Sequence, residues 1–227
     1  MTAEEILEKL ESMRNEKNIE GMRRFGISGT RMLGISVYEL RKIAKETGRD
    51  HMLALNLWES GIHEARMLAV FMDEPAKVTE SQMEKWAKDF DSWDICDQAC
   101  TDLFDRTPLR WKKTREWSSR KEEFVKRAAF ALMAGLAVHD KDAKDADFES
   151  LLPLIKRGAD DERNFVRKAV NWALRNIGKR NVYLNGKAIN VCREIINIDS
   201  PAARWIAKDA LRELGSEKVK ERILVGK

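Results

Sequence analysis

One stretch of this chain is written nearly twice. Phe124-Val125-Lys126-Arg127-Ala128-Ala129 returns as Phe165-Val166-Arg167-Lys168-Ala169-Val170 after 41 residues, and Ala173-Leu174-Arg175 returns as Ala210-Leu211-Arg212 after 37. A period near 40 residues, with no strand-like alternation, marks stacked helical pairs of the HEAT type. One pair cannot bury its apolar face alone, so pairs stack into a curved solenoid. The expected fold is all-α, a curved α-solenoid of antiparallel HEAT-like helical pairs, one domain over residues 1–227. Its concave face is expected to carry cations and tryptophan, which points to a nucleic-acid backbone as partner.

Local signals place the helices. Ser36 with Glu39 and Thr79 with Gln82 read as capping boxes, opening helices that run to Gly48 and to about Phe90. Asp50–Ser60 and His63–Met72 read as a pair bounded by Gly61 and Pro75. Asp91 or Ser92 caps a helix to about Phe104, and Pro108 starts another. Further helices are expected at 121–138, 143–156, 161–178, 185–197, 200–214 and 216–225, with an N-terminal helix within 1–20. The glycines of Phe25–Ile35 lack the GK[ST] ending of a nucleotide loop, so the segment reads as a turn between helices. A minority reading has its backbone N–H groups touching a phosphate.

Composition excludes several classes. With 43% hydrophobic and 35% charged residues, 227 residues can bury a sizeable core. No apolar run approaches the roughly 20 residues that cross a bilayer, and the acidic, amphipathic start differs from a signal peptide. Three cysteines suit reduced thiols and a cytoplasmic protein. Cys96 and Cys100 lie one helical turn apart without a second ligand pair, so they read as small core residues, and no metal is expected.

The net charge of +4 is uneven: Lys156–Arg193 carries +7 and the rest of the chain −3. Most charge runs are solvated helix faces. Here the run contains Trp172, which favours a phosphate-binding surface. On the helix through 164–178, Phe165, Val166, Ala169, Val170, Ala173, Leu174 and Ile177 form the core stripe. Lys168, Trp172, Arg175 and Lys179 share another face. Trp172 could be a cation–π ornament, or an aromatic wall beside a sugar or base in a cationic groove; the clustering favours the wall.

Two further positions stand out. Trp93 and Asp97 are i, i+4 neighbours opposite the core side of Ile95, Ala99 and Leu103. A carboxylate shielded by an indole can stabilise a developing cation or orient a water. The plain alternative is a surface Asp beside a half-buried Trp, and spacing alone favours it. Arg127 interrupts an otherwise apolar helix, so it needs an anionic partner, either an internal carboxylate or a DNA phosphate. Ala131 and Ala134 on its side are expected to leave room for approach.

The segments Ser92-Trp93-Asp94-Ile95-Cys96-Asp97, Lys126-Arg127-Ala128-Ala129 and Val170-Asn171-Trp172-Ala173-Leu174-Arg175 resemble the DNA alkylation-repair family, the AlkD-like glycosylases built from HEAT-like repeats. The resemblance runs from about residue 20 to 215 and is weakest over the first 20. It implies that Asp97, Trp93, Trp172 and Arg127 line a DNA-binding cleft, with Asp97 catalytic. One departure is Ser92, where some members carry a second tryptophan.

The implied activity is hydrolysis of the N-glycosidic bond of cationic N3- or N7-alkylated purines in double-stranded DNA. Such a base leaves without a general acid, so a carboxylate and a water suffice. The resemblance further implies a shallow groove without a deep base-flipping pocket and no cofactor, and a monomer is expected. Some branches bind DNA without evident glycosylase activity. The alternative function is therefore a non-catalytic HEAT-repeat protein that recognises bent or branched DNA. A protein–protein scaffold is the third reading, disfavoured by the focusing of charge on the Trp172 helix.

Overall fold

The computed structural model describes residues 1–29 and 31–225 and contains only helices and loops among them. The helices sort into two compact units, Met1–Leu109 and Arg110–Lys227. The first unit holds α1 (Ala3–Ser12), α2 (Glu16–Arg24), α3 (Val37–Thr47), α4 (His51–Glu59), α5 (His63–Met72), α6 (Glu80–Asp89) and α7 (Trp93–Gln98). The expected N-terminal helix is thus two, because the Asn15 side chain accepts from the Asn18 N–H and starts α2. Ser36, Asp50 and Thr79 cap α3, α4 and α6 as their sequence positions suggest. The Gln82 side chain does not close a box with Thr79; its amide donates to the buried carboxylate of Asp73, at 2.5 Å.

The core of this unit is aromatic. Trp58 and Trp86 stack in parallel, with ring centroids 3.9 Å apart, and Phe90 and Phe104 pack against them. The buried Trp58 indole meets its remaining need by donating to Asp89, at 2.9 Å.

The helix expected from Trp93 to Phe104 is not uniform. α7 ends at Gln98, a π-helical turn covers Ala99–Leu103, and a 3-10 turn covers Phe104–Arg106. Ser92 occupies the N-cap position without capping; its hydroxyl instead lies 2.5 Å from the Asp94 carboxylate.

The second unit holds α8 (Arg110–Trp117), α9 (Glu123–His139), α10 (Asp145–Glu149), α11 (Leu152–Gly158), α12 (Asn164–Gly178), α13 (Val182–Ile195), α14 (Pro201–Leu214) and α15 (Glu217–Val225). The helix expected at 143–156 is split, because Pro153 fits only the first turn of a helix and so begins α11. α13 starts three residues before its expected position, where Asn181 accepts from the Leu184 N–H.

The written repeat is a physical one. α9, α12 and α14 carry the repeated segments, and equivalent residues meet. Phe124 and Phe165 pack at a tilt with centroids 5.6 Å apart. Polar links step between repeats: Asn176 donates to the Ala134 carbonyl and Asn171 to Asp209. A common core runs from Phe130 and Phe148 through Val170 and Leu174 to Ile206 and Leu214. The fold is all-α and built of HEAT-like helical pairs.

Candidate functional site

Trp93 and Asp97 project from successive turns of α7 in the first unit, and both are half-buried. Ile95, Cys96, Ala99, Cys100 and Leu103 fill the opposite side and are buried. The two cysteines are free thiols in the core, and burial raises the pKa of Cys100 well above the ordinary thiol range. Trp93 is fixed by its indole N–H, which donates to the Phe25 carbonyl at 3.1 Å. Asp97 contributes its own carbonyl to the Thr101 hydroxyl, at 2.9 Å. Arg41 grips the following π turn, reaching Gln98 at 2.9 Å and both Asp102 oxygens at 2.9 and 3.0 Å. Wide turns of this kind recur at functional sites, where they re-aim side chains.

Sequence reasoning passed over His63 and Asp94. His63 is 4% exposed, and its Nε2 lies 2.9 Å from Asp94 Oδ2. Burial opposes a charge on the imidazole. The Asp94, Glu64 and Asp91 carboxylates outweigh it and raise its pKa above the ordinary histidine value. The Asp94 carboxyl is also opposed by burial, yet His63, Ser92 and the Ile95 N–H lower its pKa. The pair clamps the first turn of α7 and so orients the segment bearing Trp93 and Asp97. The readable signal was the single His-Glu pair at the start of an apolar helix, since an imidazole and a carboxylate there need partners.

The loop before α3 joins two helices, as expected, and replaces the minority reading of a phosphate contact with an internal one. Its Leu33 and Gly34 N–H groups do converge on an anion, but that anion is the buried Glu64 carboxylate, at 2.8 and 2.6 Å. Gly34 has φ +77°, and a Cβ there would lie 2.3 Å from the Asn15 carbonyl, so only glycine closes this turn.

Beside Trp93 the unit encloses a cavity of about 750 Å³. Ile35, Leu40, His63, Glu64 and Met67 are its buried part, and Lys17, Glu20, Arg24, Phe25 and Val37 its exposed rim. The cavity is walled by α2, by Gly34–Val37, by α5 and by the first turn of α7.

Arg127, Lys168, Trp172, Arg175 and Lys179 belong to the second unit. Arg127 is 5% exposed, and its Nη1 donates to the Phe165 carbonyl at 2.5 Å. Ala131 and Ala134 are fully buried, so the open side expected beside Arg127 does not exist. The reason is the close packing of α9 on α12, which the small alanines permit. Lys168 is exposed and Trp172 half-buried. Arg175 and Lys179 are both held by Glu213, at 2.5 and 2.8 Å, and Arg175 also approaches Asp209. Burial raises the Glu213 pKa, but the two cations win and lower it.

The +7 stretch is therefore partly neutralised by acids from outside it. Glu149 pairs with Lys187, Glu194 with Lys156, and Glu213 with Arg175 and Lys179. Sequence reasoning also passed over Trp205, 38% exposed, with the Arg167 guanidinium 5.3 Å from its ring centre. Lys208 and Arg204 are exposed on the same helix.

No group of three or more metal-ligating side chains occurs among the described residues, and no described helix is long and apolar enough to cross a membrane.

A family model for the DNA alkylation repair enzyme matches residues 6–214. No curated protein matches the sequence significantly. A solved structure from a family related to the HEAT-like repeat DNA glycosylases, with affinity for branched DNA structures, superposes with a TM-score of 0.77 at 18% identity. It covers 95% of this chain and 97% of that one. A designed armadillo repeat protein bound to the peptide (KR)4 gives a TM-score of 0.37 at 15% identity, covering 84% and 89%. A second armadillo design gives 0.35 at 16%, covering 78% and 92%.

Proposed function

The chain belongs to the DNA alkylation repair enzyme family, and from that premise we propose that it is a DNA N-glycosylase acting on cationic N3- or N7-alkylated purines in duplex DNA. The observation that carries the reading is the Trp93–Asp97 pair on α7, fixed at both ends by the His63–Asp94 clamp and the Arg41-held π turn. A carboxylate on so constrained a helix is preorganised to face positive charge that develops on a sugar.

The chemistry follows from the lesion. An alkylated purine already carries the charge that a general acid would supply. Breaking the N-glycosidic bond sends its electron pair to the purine, which leaves neutral. The deoxyribose acquires oxocarbenium character, which Asp97 stabilises and the π-face of Trp93 flanks. Water adds to the sugar carbon and releases a proton. No metal or organic cofactor enters this scheme.

DNA contact is assigned to the second unit. Lys168, Trp172 and the Arg167–Trp205 stack offer cations and aromatic faces, with Arg175 and Lys179 available after exchange from Glu213. Arg127 is left out of the contact set, because its guanidinium holds α9 to the start of α12. The structural neighbour's affinity for branched DNA favours a second reading, a protein that binds branched DNA without excising bases.

Base release decides between them. Incubation with methylated duplex should liberate alkylpurines, and Asp97→Asn should abolish release while DNA binding persists. Binding of branched duplex without any released base would support the second reading. Excision by Asp97→Asn at the wild-type rate would remove Asp97 from the mechanism.

A further inference from the structure

A recess in the second unit has no role in the scheme above. It is walled by the ends of α9 and α12, by the turns that follow them and by α15, and its volume is about 440 Å³. Lys141, Lys179, Arg180 and Arg222 line it, and no acid stands among its described lining residues. Ala137 and Val138 form its apolar part.

Like charges gathered in one recess repel, so the cluster needs a counter-charge. Helix ends supply part of it. Lys141 follows α9, Lys179 and Arg180 follow α12, and Arg222 lies in the last turn of α15. Each helix C-terminus carries roughly half a negative charge, so three of them offset about one and a half of the four positive ones. Glu213, shared by Lys179 and Arg175, offsets part of another. A surplus of about two charges is left. Arg180 donates to the Ala137 and Ala143 carbonyls, at 2.8 and 3.5 Å, and lies over the Phe148 ring, all uncharged partners, while its Nε is buried without one. Burial lowers its pKa, against the pull of Asp145 and Asp140, neither of which forms an ion pair with it. Those two acids bond to Asn181 and Arg110 instead. Lys141 and Arg222 are exposed and have no carboxylate partner among the described residues.

We propose that this recess binds a phosphomonoester dianion, either the phosphate at the end of a DNA strand or that of a free phosphorylated small molecule. A phosphodiester brings one charge and is joined to sugar on both sides. A phosphomonoester brings about 1.5 to 2 charges at neutral pH, presents three acceptor oxygens and is joined on one side only, so it can enter a walled recess. Its oxygens rest among Lys141, Arg180 and Arg222. Asn176 and Asn181 also line the recess; each uses one amide N–H, on the Ala134 carbonyl and on Asp145, and has a second. The strand-end source rests on the DNA-binding reading, since Lys179 belongs both to the recess and to the cation row of α12. The free-ligand source does not.

The test compares methyl phosphate with dimethyl phosphate by calorimetry on the full chain at about pH 7.5, where the monoester is doubly charged. The monoester should bind about tenfold tighter or better. Lys141→Gln/Arg222→Gln, and independently Val138→Glu, which sets an acid in the recess, should each weaken it by about tenfold. All three positions are exposed, so thermal melting should not move. A nicked duplex with phosphate at the nick is then compared with the same duplex ending in hydroxyl, with unbroken duplex as control. A preference for the phosphate end that disappears in the variants identifies the strand end. Monoester binding without that preference identifies a free ligand, and either result upholds the site. Equal affinity for the two small probes, or wild-type monoester binding in both variants, would overturn the proposal. Failure to bind unbroken duplex would instead count against the DNA reading, because the methyl phosphate measurement involves no DNA.

Discussion

At the scale of single residues, the behaviour of His63 with pH is the sharpest consequence. Its folded pKa lies above the ordinary 6.5 and that of Asp94 below the ordinary 3.8. The raised imidazole stabilises the fold fully below pH 6.5, and that contribution fades as pH rises through the folded value. The depressed carboxyl contributes above pH 3.8 and fades as pH falls through its folded value. Stability from this pair should therefore be greatest between about pH 4 and 6.5. Melting temperature followed across pH should decline on the alkaline side in the wild type and flatten in His63→Gln. A His63→Gln profile that overlays the wild type would show that the pair does not couple to folding. That Trp93 and Asp97 share one side of a short helix was legible from their spacing of four residues, while a role for them came only from the family resemblance. His63 and Asp94 were not legible, because 31 residues separate them and only the packing of α5 on α7 joins them.

At the scale of helices, Arg127 and the cations of α12 make different predictions. Arg127→Ala removes a buried side chain and its bond to the Phe165 carbonyl, so the protein should lose about 1–3 kcal/mol of stability while duplex affinity changes little. A calorimetric melt and a binding titration on the same variant check this. Lost affinity with an unchanged melt would return Arg127 to the DNA surface. On α12, Lys168 has no carboxylate partner among the described residues, whereas Arg175 and Lys179 share Glu213. Lys168→Ala should reduce the slope of log affinity against log salt by about one, the value for a single phosphate contact. Arg175→Ala and Lys179→Ala should each reduce it by less, since there DNA replaces an internal anion instead of condensed counterions. Equal slopes for all three variants would refute this ranking. The starts of α3 and α6 were legible from their caps, Ser36 and Thr79, which accept the N–H three residues on; Asp50 and Ser200 do the same at starts placed without a cap. The pairing of α12 with Glu213 was not, since it depends on the register between repeats.

At the scale of the whole molecule, stacked repeats demand close approach. A Cβ on Gly178 would lie 2.8 Å from both Leu214 methyls and 2.9 Å from Ala188 Cβ, where α12 meets α13 and α14. Helix propensity alone would favour alanine there. Overpacking of a filled core reverses the sign, and Gly178→Ala should destabilise by about 1–3 kcal/mol. Chemical denaturation measures it, and a more stable variant would show that the repeats can spread. The repeat period made the architecture legible at this scale. The cavity stayed hidden because it depends on a turn closed by Gly34 and on walls from four separate segments.

On the proposed function, the Glu213 bridge bears on how the protein would search DNA. Arg175 and Lys179 already hold an anion, so each encounter with undamaged duplex begins as a contest with the protein's own carboxylate. Such a contest shortens the stay at any one site, because the internal rival is always at hand to take the cations back. Time spent per base pair would then be set partly by a residue on α14, one helix away from the cations proposed to touch DNA. Exchanging that acid for an amide would be expected to slow the search without altering the chemistry at its end.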